Sequence, residues 1–253
     1  MACACTYRDG AREDGGEDVC GAGFVGSTAF LFWYNKKMNT ILVCGTKKNS
    51  LSTYVRVHFE ALGDKVIQFG RSLPKEVDDQ IQIDLTNPDS YKNLADIDAV
   101  NVVIFSQDTG TAFGNIEDLS CEDLGSFVSS KVVGSMLFTQ FLLKQKAFKE
   151  PIKLIWTCGS YGSKPKDYML YHTVNVAIRS FVDDLNKYYS DKIEGFYVVT
   201  PFMEKTGVGE KYNMYTGKEE KGADPQDTVS VIEKIVKGDF KPGVVVVEAS
   251  NVK

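Results

Sequence analysis

The chain reads as an α/β fold, a doubly wound parallel sheet with helices on both faces, three layers (αβα) in a single domain spanning residues 38–253. Three observations point there. Short β-branched and apolar runs alternate with longer stretches whose apolar residues recur at helical spacing. The run from Asp98 to Phe105 is apolar nearly throughout, as a strand buried on both faces must be. The first such run, Thr40-Ile41-Leu42-Val43-Cys44-Gly45, ends in glycine and is followed by a polar turn and a helical segment from Tyr54 to Leu62. That is the strand, turn and helix with which such a sheet begins.

The other elements follow in order. Lys65 to Arg71 forms a second strand ending in Gly70-Arg71. Only Ser72 to Gln80 separates it from a third, Ile81 to Thr86, so the crossover there is trimmed to a turn. After the fourth strand, Asp98 to Phe105, comes a long helix from Cys121 to Gln145 with Leu124, Val128, Val132, Met136 and Phe141 at core spacing. Lys153 to Ser160 is the fifth strand and its exit. A helix opening near Tyr168 then carries Tyr171, Ala177, Phe181 and Leu185. Gly195 to Pro201 is the sixth strand. Asp224-Pro225 starts a last helix through Val236, since proline is preorganised for a first helical turn, and Gly243 to Glu248 closes the sheet.

Composition narrows the function classes. Lys and Arg total 29 against 34 Asp and Glu, a formal charge of -5 with no basic run, which argues against nucleic-acid binding. The apolar stretch Ala22 to Tyr34 is interrupted by Gly26, Ser27 and Thr28 and falls short of the roughly 20 residues a membrane helix needs. Acidic residues precede it where a secretory signal would be basic, so the expected location is cytoplasmic or otherwise intracellular. Cys3, Cys5 and Cys20 have no accompanying histidine and fit no zinc module, so no metal site is expected. Gly21, Gly23 and Gly26 spell the G-x-G-x-x-G of a dinucleotide turn, but the acidic residues before Val19 cannot supply the strand that such a turn hangs from. Residues 1–37 therefore read as an accessory or partly disordered extension.

Several motifs fall in one familiar order. The turn Gly45-Thr46-Lys47-Lys48-Asn49-Ser50-Leu51-Ser52 is similar to T-G-x-x-x-G-x-G with its later glycines replaced. Asp84 sits where a D-V-T aspartate would be, and Lys131-Val132-Val133-Gly134 is similar to Asn-x-x-Gly. Tyr171 precedes Asn175 by four residues, and Pro201 and Thr206 frame a Pro-Gly-x-x-x-Thr segment whose glycine is Phe202. From about Met38 to Lys253 the chain resembles the short-chain dehydrogenases/reductases, whose fold is of the Rossmann type.

The resemblance implies hydride transfer between NADP or NAD and a carbonyl or alcohol, with Tyr171 as acid and base. It implies that Gly45, Lys48, Ser50, Arg71, Asp84, Leu85, Ser106, Pro201 and Thr206 surround the cofactor, Arg71 facing a 2′-phosphate. In that family a lysine four residues after the tyrosine holds the nicotinamide ribose and favours the phenolate. Here that position is Asn175, and the family's asparagine is Lys131, so the two residue types have changed places. The family's serine falls on Cys158, with Ser160 nearby. Phe105-Ser106-Gln107-Asp108 replaces Asn-Asn-Ala-Gly and brings bulk with it, as does Phe202.

The expectation is a degenerate member, impaired in catalysis and kept for a structural, binding or assembly role, a pseudoenzyme. The alternative is an active NAD(P)H-dependent oxidoreductase with Tyr171 assisted by Lys131. Partners would be further copies or a larger protein assembly, docked through the two long helices and the extension.

Overall fold

The computed structural model describes residues 38–73, 79–94, 97, 100–107, 114–144, 150–159, 169–203, 206 and 222–248. The sequence readings of residues 1–37 and of Ser160 lie outside them.

Seven strands form one sheet: β1 (Thr40–Cys44), β2 (Lys65–Gly70), β3 (Gln80–Gln82), β4 (Val102–Phe105), β5 (Ile152–Gly159), β6 (Ile193–Thr200) and β7 (Gly243–Val246). All pairings are parallel, in the order β3-β2-β1-β4-β5-β6-β7. The helices are α1 (Leu51–Ala61), the segment α2 (Cys121–Lys144), α3 (Met169–Tyr188) and α4 (Pro225–Lys237). Alternation along the strands splits the core in two. Leu42, Phe69, Val103, Phe105 and Trp156 meet Phe138 and Leu142 of α2 and Ile178 and Val182 of α3. Ile41, Val43, Ile104, Ile155 and Phe196 meet Val55 and Phe59 of α1 and Val229 and Ile232 of α4. The sheet is thus covered on both sides, and its strand order reverses between β1 and β4.

Three sequence expectations change. The third strand stops at Gln82, because Asp84 turns back on the chain and accepts hydrogen bonds from the Thr86 amide at 2.9 Å and the Thr86 hydroxyl at 2.7 Å. Such local bonds compete with a strand ladder. Phe105 does not add bulk to the cleft. The two-residue period of β4 sends it into the core, where it stacks on Trp156 at 4.8 Å and meets Phe138 edge-on.

The third change is the buried stripe of α2, which runs through Phe127, Lys131, Ser135, Phe138 and Leu142, with Leu124, Val132 and Phe141 partly buried beside it. Val128 and Met136 are exposed instead. Within this helix Ser129–Val133 forms a single π-helical turn, a local widening frequent at functional sites. By length and composition α2 could also cross a membrane. Here Phe127, Phe138 and Leu142 are buried within the domain, as in the core helix of a globular protein.

Candidate functional site

In open parallel sheets, ligands bind beyond the C-terminal ends of the strands, at the point where the strand order reverses. That point lies between β1 and β4, whose ends are tied together by the Ser106 hydroxyl donating to the Cys44 carbonyl at 2.6 Å. Gly45 follows with φ +123°, and a β-carbon there would come within 2.9 Å of the Ser52 Oγ. Only glycine fits this turn. Asn49 takes the left-handed φ of 56° in a loop where the family pattern has glycine, and asparagine is among the few residues that tolerate it.

Ser50 precedes α1 in extended conformation, but its side chain does not cap the helix. Its hydroxyl donates to the Lys47 carbonyl at 2.6 Å and lies 2.6 Å from the Ser52 hydroxyl. An N-terminus left uncapped by its own side chain suits an anionic group, to which helix amides and the helix dipole are attracted. Lys48 is exposed in the same turn. Arg71 is exposed at the end of β2, and its charge is felt at the buried Cys44 thiol, which burial pushes up to about 12 against the opposing pull of Arg71.

Asp84 is held by Thr86, and Leu85 is buried with its carbonyl accepting the Tyr91 hydroxyl at 2.5 Å. Burial, and after it the charge of Asp84, push the Tyr91 phenol up to about 12, so this tyrosine stays protonated. On the other side of the switch point, Pro201 is half-buried, and the buried Thr206 donates its hydroxyl to the Met203 carbonyl at 2.8 Å. The Phe202 carbonyl accepts the Ala223 amide at 2.7 Å, which anchors the start of that segment.

The candidate reactive centre is built by α2, β5 and α3. Tyr171, on the first turn of α3, accepts a hydrogen bond at its phenol oxygen from the Gly159 amide at 3.1 Å. It can lie so close to β5 because residue 159 is glycine, since a β-carbon there would meet the ring at 2.7 Å and the hydroxyl at 2.9 Å. From the π-helical turn of α2, the Lys131 ammonium stands over the Tyr171 ring, 4.8 Å from its centroid, and 5.9 Å from that of Phe127. Lys131 is only 4 % exposed. Taking an ammonium out of water costs several kcal/mol, of which two aromatic faces return about 0.5–2 each.

Asn175, one turn on from Tyr171, is fully buried and donates its amide to the Gly159 carbonyl at 3.4 Å, an acceptor it shares with the Tyr197 hydroxyl at 3.2 Å. The exchange read from sequence is therefore spatial as well. The ammonium reaches the phenol ring from α2, and the amide braces the strand end from α3. Cys158 is buried at the end of β5, on the sheet face that α2 and α3 cover.

Four residues of this network were not among the sequence candidates. Gln107 donates to the Ser135 hydroxyl at 3.2 Å, and Ser135 donates to the Lys131 carbonyl at 2.6 Å, which braces the π turn. Tyr197 and Thr200 donate to the end of β5. Tyr197 and Thr200 fall within a strand and Ser135 within a helix, where sequence pattern marks position but not the partner of a hydroxyl, and Gln107 lies just past β4. Among the described residues, the buried acceptors Gln107 Oε1 and Asn175 Oδ1 have no hydrogen-bond partner. Together with the glycine cradle at residue 45 and the uncapped start of α1, the orphaned Gln107 oxygen just past β4 fits a dinucleotide laid across the switch point. Among the described residues no cluster of His, Cys, Asp and Glu could hold a metal ion.

No protein-family model matches the chain, and no curated protein matches it in sequence. Solved structures do match its fold. The aldohexose dehydrogenase of Thermoplasma acidophilum superposes with a TM-score of 0.72 at 15% identity, over 86% of this chain and 97% of that one. A short chain dehydrogenase of Salmonella enterica serovar Typhi gives a TM-score of 0.70 at 15% identity, over 84% and 96%. NADP-bound ElxO gives a TM-score of 0.72 at 15% identity, over 83% and 97%. At such identities it is the architecture that is shared, and the chain has the Rossmann-type fold of the short-chain dehydrogenases/reductases.

Proposed function

We propose that the chain is a nicotinamide-dependent oxidoreductase acting on a carbonyl or alcohol, with Tyr171 as acid and base and Lys131 as the charge that favours its phenolate. The observation that carries this reading is the Lys131 ammonium, held out of water by a π-helical turn on the buried stripe of α2 and set 4.8 Å over the Tyr171 ring. A lysine serving only the fold would leave its charge in solvent. Perturbing charges placed beside a titratable group mark functional sites more often than structural ones.

The cofactor, when bound, gives or takes the hydride. Everything else falls to the chain's own side chains. Gly45, Asn49 and the start of α1 would receive the pyrophosphate, and Arg71 would meet a 2′-phosphate, which would make NADP the preferred form, in keeping with the NADP carried by ElxO. Tyr171 gives its phenolic proton to the carbonyl oxygen in reduction and takes it back in oxidation. Lys131 and the Gly159 amide both favour the deprotonated form, the first by charge and the second by hydrogen bonding.

The test is a fluorescence titration with NADPH and NADH, followed by a carbonyl-reduction assay. Submillimolar binding and turnover abolished by Tyr171→Phe are expected. Failure of both cofactors to bind at millimolar concentration would end the proposal.

A second reading, a binding or assembly component impaired in catalysis, is favoured by Asn175. With no exposed surface, it cannot hold a ribose as the family's lysine does. In either reading the exposed apolar residues of the two long helices, Val133 and Met136 on α2 and Val176 on α3, are the faces through which copies would associate.

A further inference from the structure

The peptide group between Cys158 and Gly159 is hydrogen-bonded at both ends. Its N–H donates to the Tyr171 phenol oxygen at 3.1 Å, and its carbonyl accepts the Thr200 hydroxyl at 3.1 Å from the neighbouring strand β6. Hydrogen bonds in such a chain polarise one another, so a donor on the carbonyl makes the amide at the other end a stronger donor. The next peptide is fixed as well, with the Gly159 carbonyl taking the Asn175 amide and the Tyr197 hydroxyl. The strand end is braced from α3 and from β6 while its N–H points at the phenol. No side chain intervenes, because a β-carbon at Gly159 would occupy the space of the tyrosine ring.

We infer that the Gly159 amide is the donor through which β5 stabilises the Tyr171 phenolate, and that Thr200 is a positioning residue that strengthens this donor through the Cys158 carbonyl. The inference deepens the reading of Tyr171 as acid and base and rests on it. A side-chain hydroxyl on β5 would act as a free rotor, whereas this donor is fixed by the strand ladder and set by a residue that never meets substrate. The charged group against the ring is Lys131 on α2, and the titratable neighbours within β5 and α3 are the buried Cys158 and the half-buried His172. Thr200→Val leaves all three in place.

The experiment uses the full chain labelled with carbon-13 at the tyrosine ζ position. The Tyr171 resonance is assigned by its loss in Tyr171→Phe, and its titration is followed from pH 6 to 11 without cofactor. Thr200→Val keeps the branched shape and removes the hydroxyl, and Thr200→Ser restores a hydroxyl. Only part of what one hydrogen bond contributes passes through the peptide. The expected result is therefore about a three-fold fall in the phenolate-to-phenol ratio at a fixed pH in Thr200→Val, and recovery in Thr200→Ser. A titration unmoved by Thr200→Val, or moved equally by Thr200→Ser, would overturn the inference. If Thr200→Val loses the folded spectrum, Thr200→Ala removes the hydroxyl with less bulk, and the same three-fold fall is expected there; an unmoved titration in Thr200→Ala would overturn the inference. Because the readout needs neither cofactor nor turnover, its failure is separable from failure of the oxidoreductase reading, which the cofactor titration tests.

Discussion

Replacing Lys131 with methionine removes the charge over Tyr171 and keeps most of the volume. With the 4.8 Å from ammonium to ring centroid taken as the separation, and an effective dielectric of about 20, the attraction to a phenolate is about 3 kcal/mol. At about 1.4 kcal/mol per decade this is about two pH units. In the oxidation direction the phenol must be ionised to accept a proton, so the rate rises with pH as it deprotonates. Without the ammonium the phenolate is less favoured, and that rise moves upward by about two units. The assay is kcat/KM for alcohol oxidation across pH 6 to 10, with a loss of about 100-fold expected at the acid end and the gap narrowing toward pH 10. A pH profile unmoved by Lys131→Met would refute the role given to this lysine, however much the absolute rate fell.

The remaining predictions probe neighbouring features. Gly159→Ala places a β-carbon 2.7 Å from the Tyr171 ring and should cost about 1–3 kcal/mol while displacing the phenol, read as a lower melting temperature and lost turnover; an unchanged protein would mean the strand end yields freely. Exchanging the pair, Lys131→Asn with Asn175→Lys, should recover stability lost by Asn175→Lys alone, where a second ammonium enters a fully buried site; a denaturation cycle showing strict additivity would deny that the two positions are coupled. On the far face, Glu233 accepts from His58 at 2.7 Å and from Lys237. Lys237 first, against an opposing effect of burial, and then His58 hold its carboxyl below the ordinary 4.5. Its contribution is present above that value and lost as pH falls below it. Glu233→Gln should therefore lower stability by at most about 1 kcal/mol at pH 7, with the difference closing in acid melts below pH 4. Met136→Glu with Val176→Glu should shift light-scattering mass toward the monomer if copies associate through α2 and α3; a wild-type monomer at all concentrations would remove that surface from consideration.

The fold was legible because its signals are local and repeated. A run such as Val102-Val103-Ile104-Phe105 can be little other than a strand buried on both faces, and Asp224-Pro225 marks a helix start in any context, as the Asp224 side chain confirms by accepting the Gln226 amide at 2.9 Å. Boundaries were less legible where side chains compete with the ladder, as Asp84 does. The stripe of α2 was misplaced for a different reason. Its buried face includes a lysine and a serine, and a search for apolar residues at helical spacing passes over them and selects the exposed Val128 and Met136.

The site was legible as residue types and opaque as geometry, and the difference explains why the missing lysine at position 175 weighs less than it first does. A linear motif records from which helix a charge comes, whereas the phenol responds only to where the charge ends up. Lys131 and Asn175 lie 44 positions apart in the chain, yet one stands against the Tyr171 ring and the other against the glycine that donates to its hydroxyl. Two interactions that favour phenolate therefore survive with both motif positions changed. What does not survive is the second duty of the family's lysine, since a residue buried to 4 % exposure beneath two rings has little surface to offer a ribose. On the proposed reading, acid–base work and cofactor grip, joined in one side chain in the family the chain resembles, are divided between different residues here. The separation requires that weak dinucleotide binding, rather than slow proton transfer, limits the wild-type rate, so saturating NADPH should raise turnover long before any change at Tyr171 does.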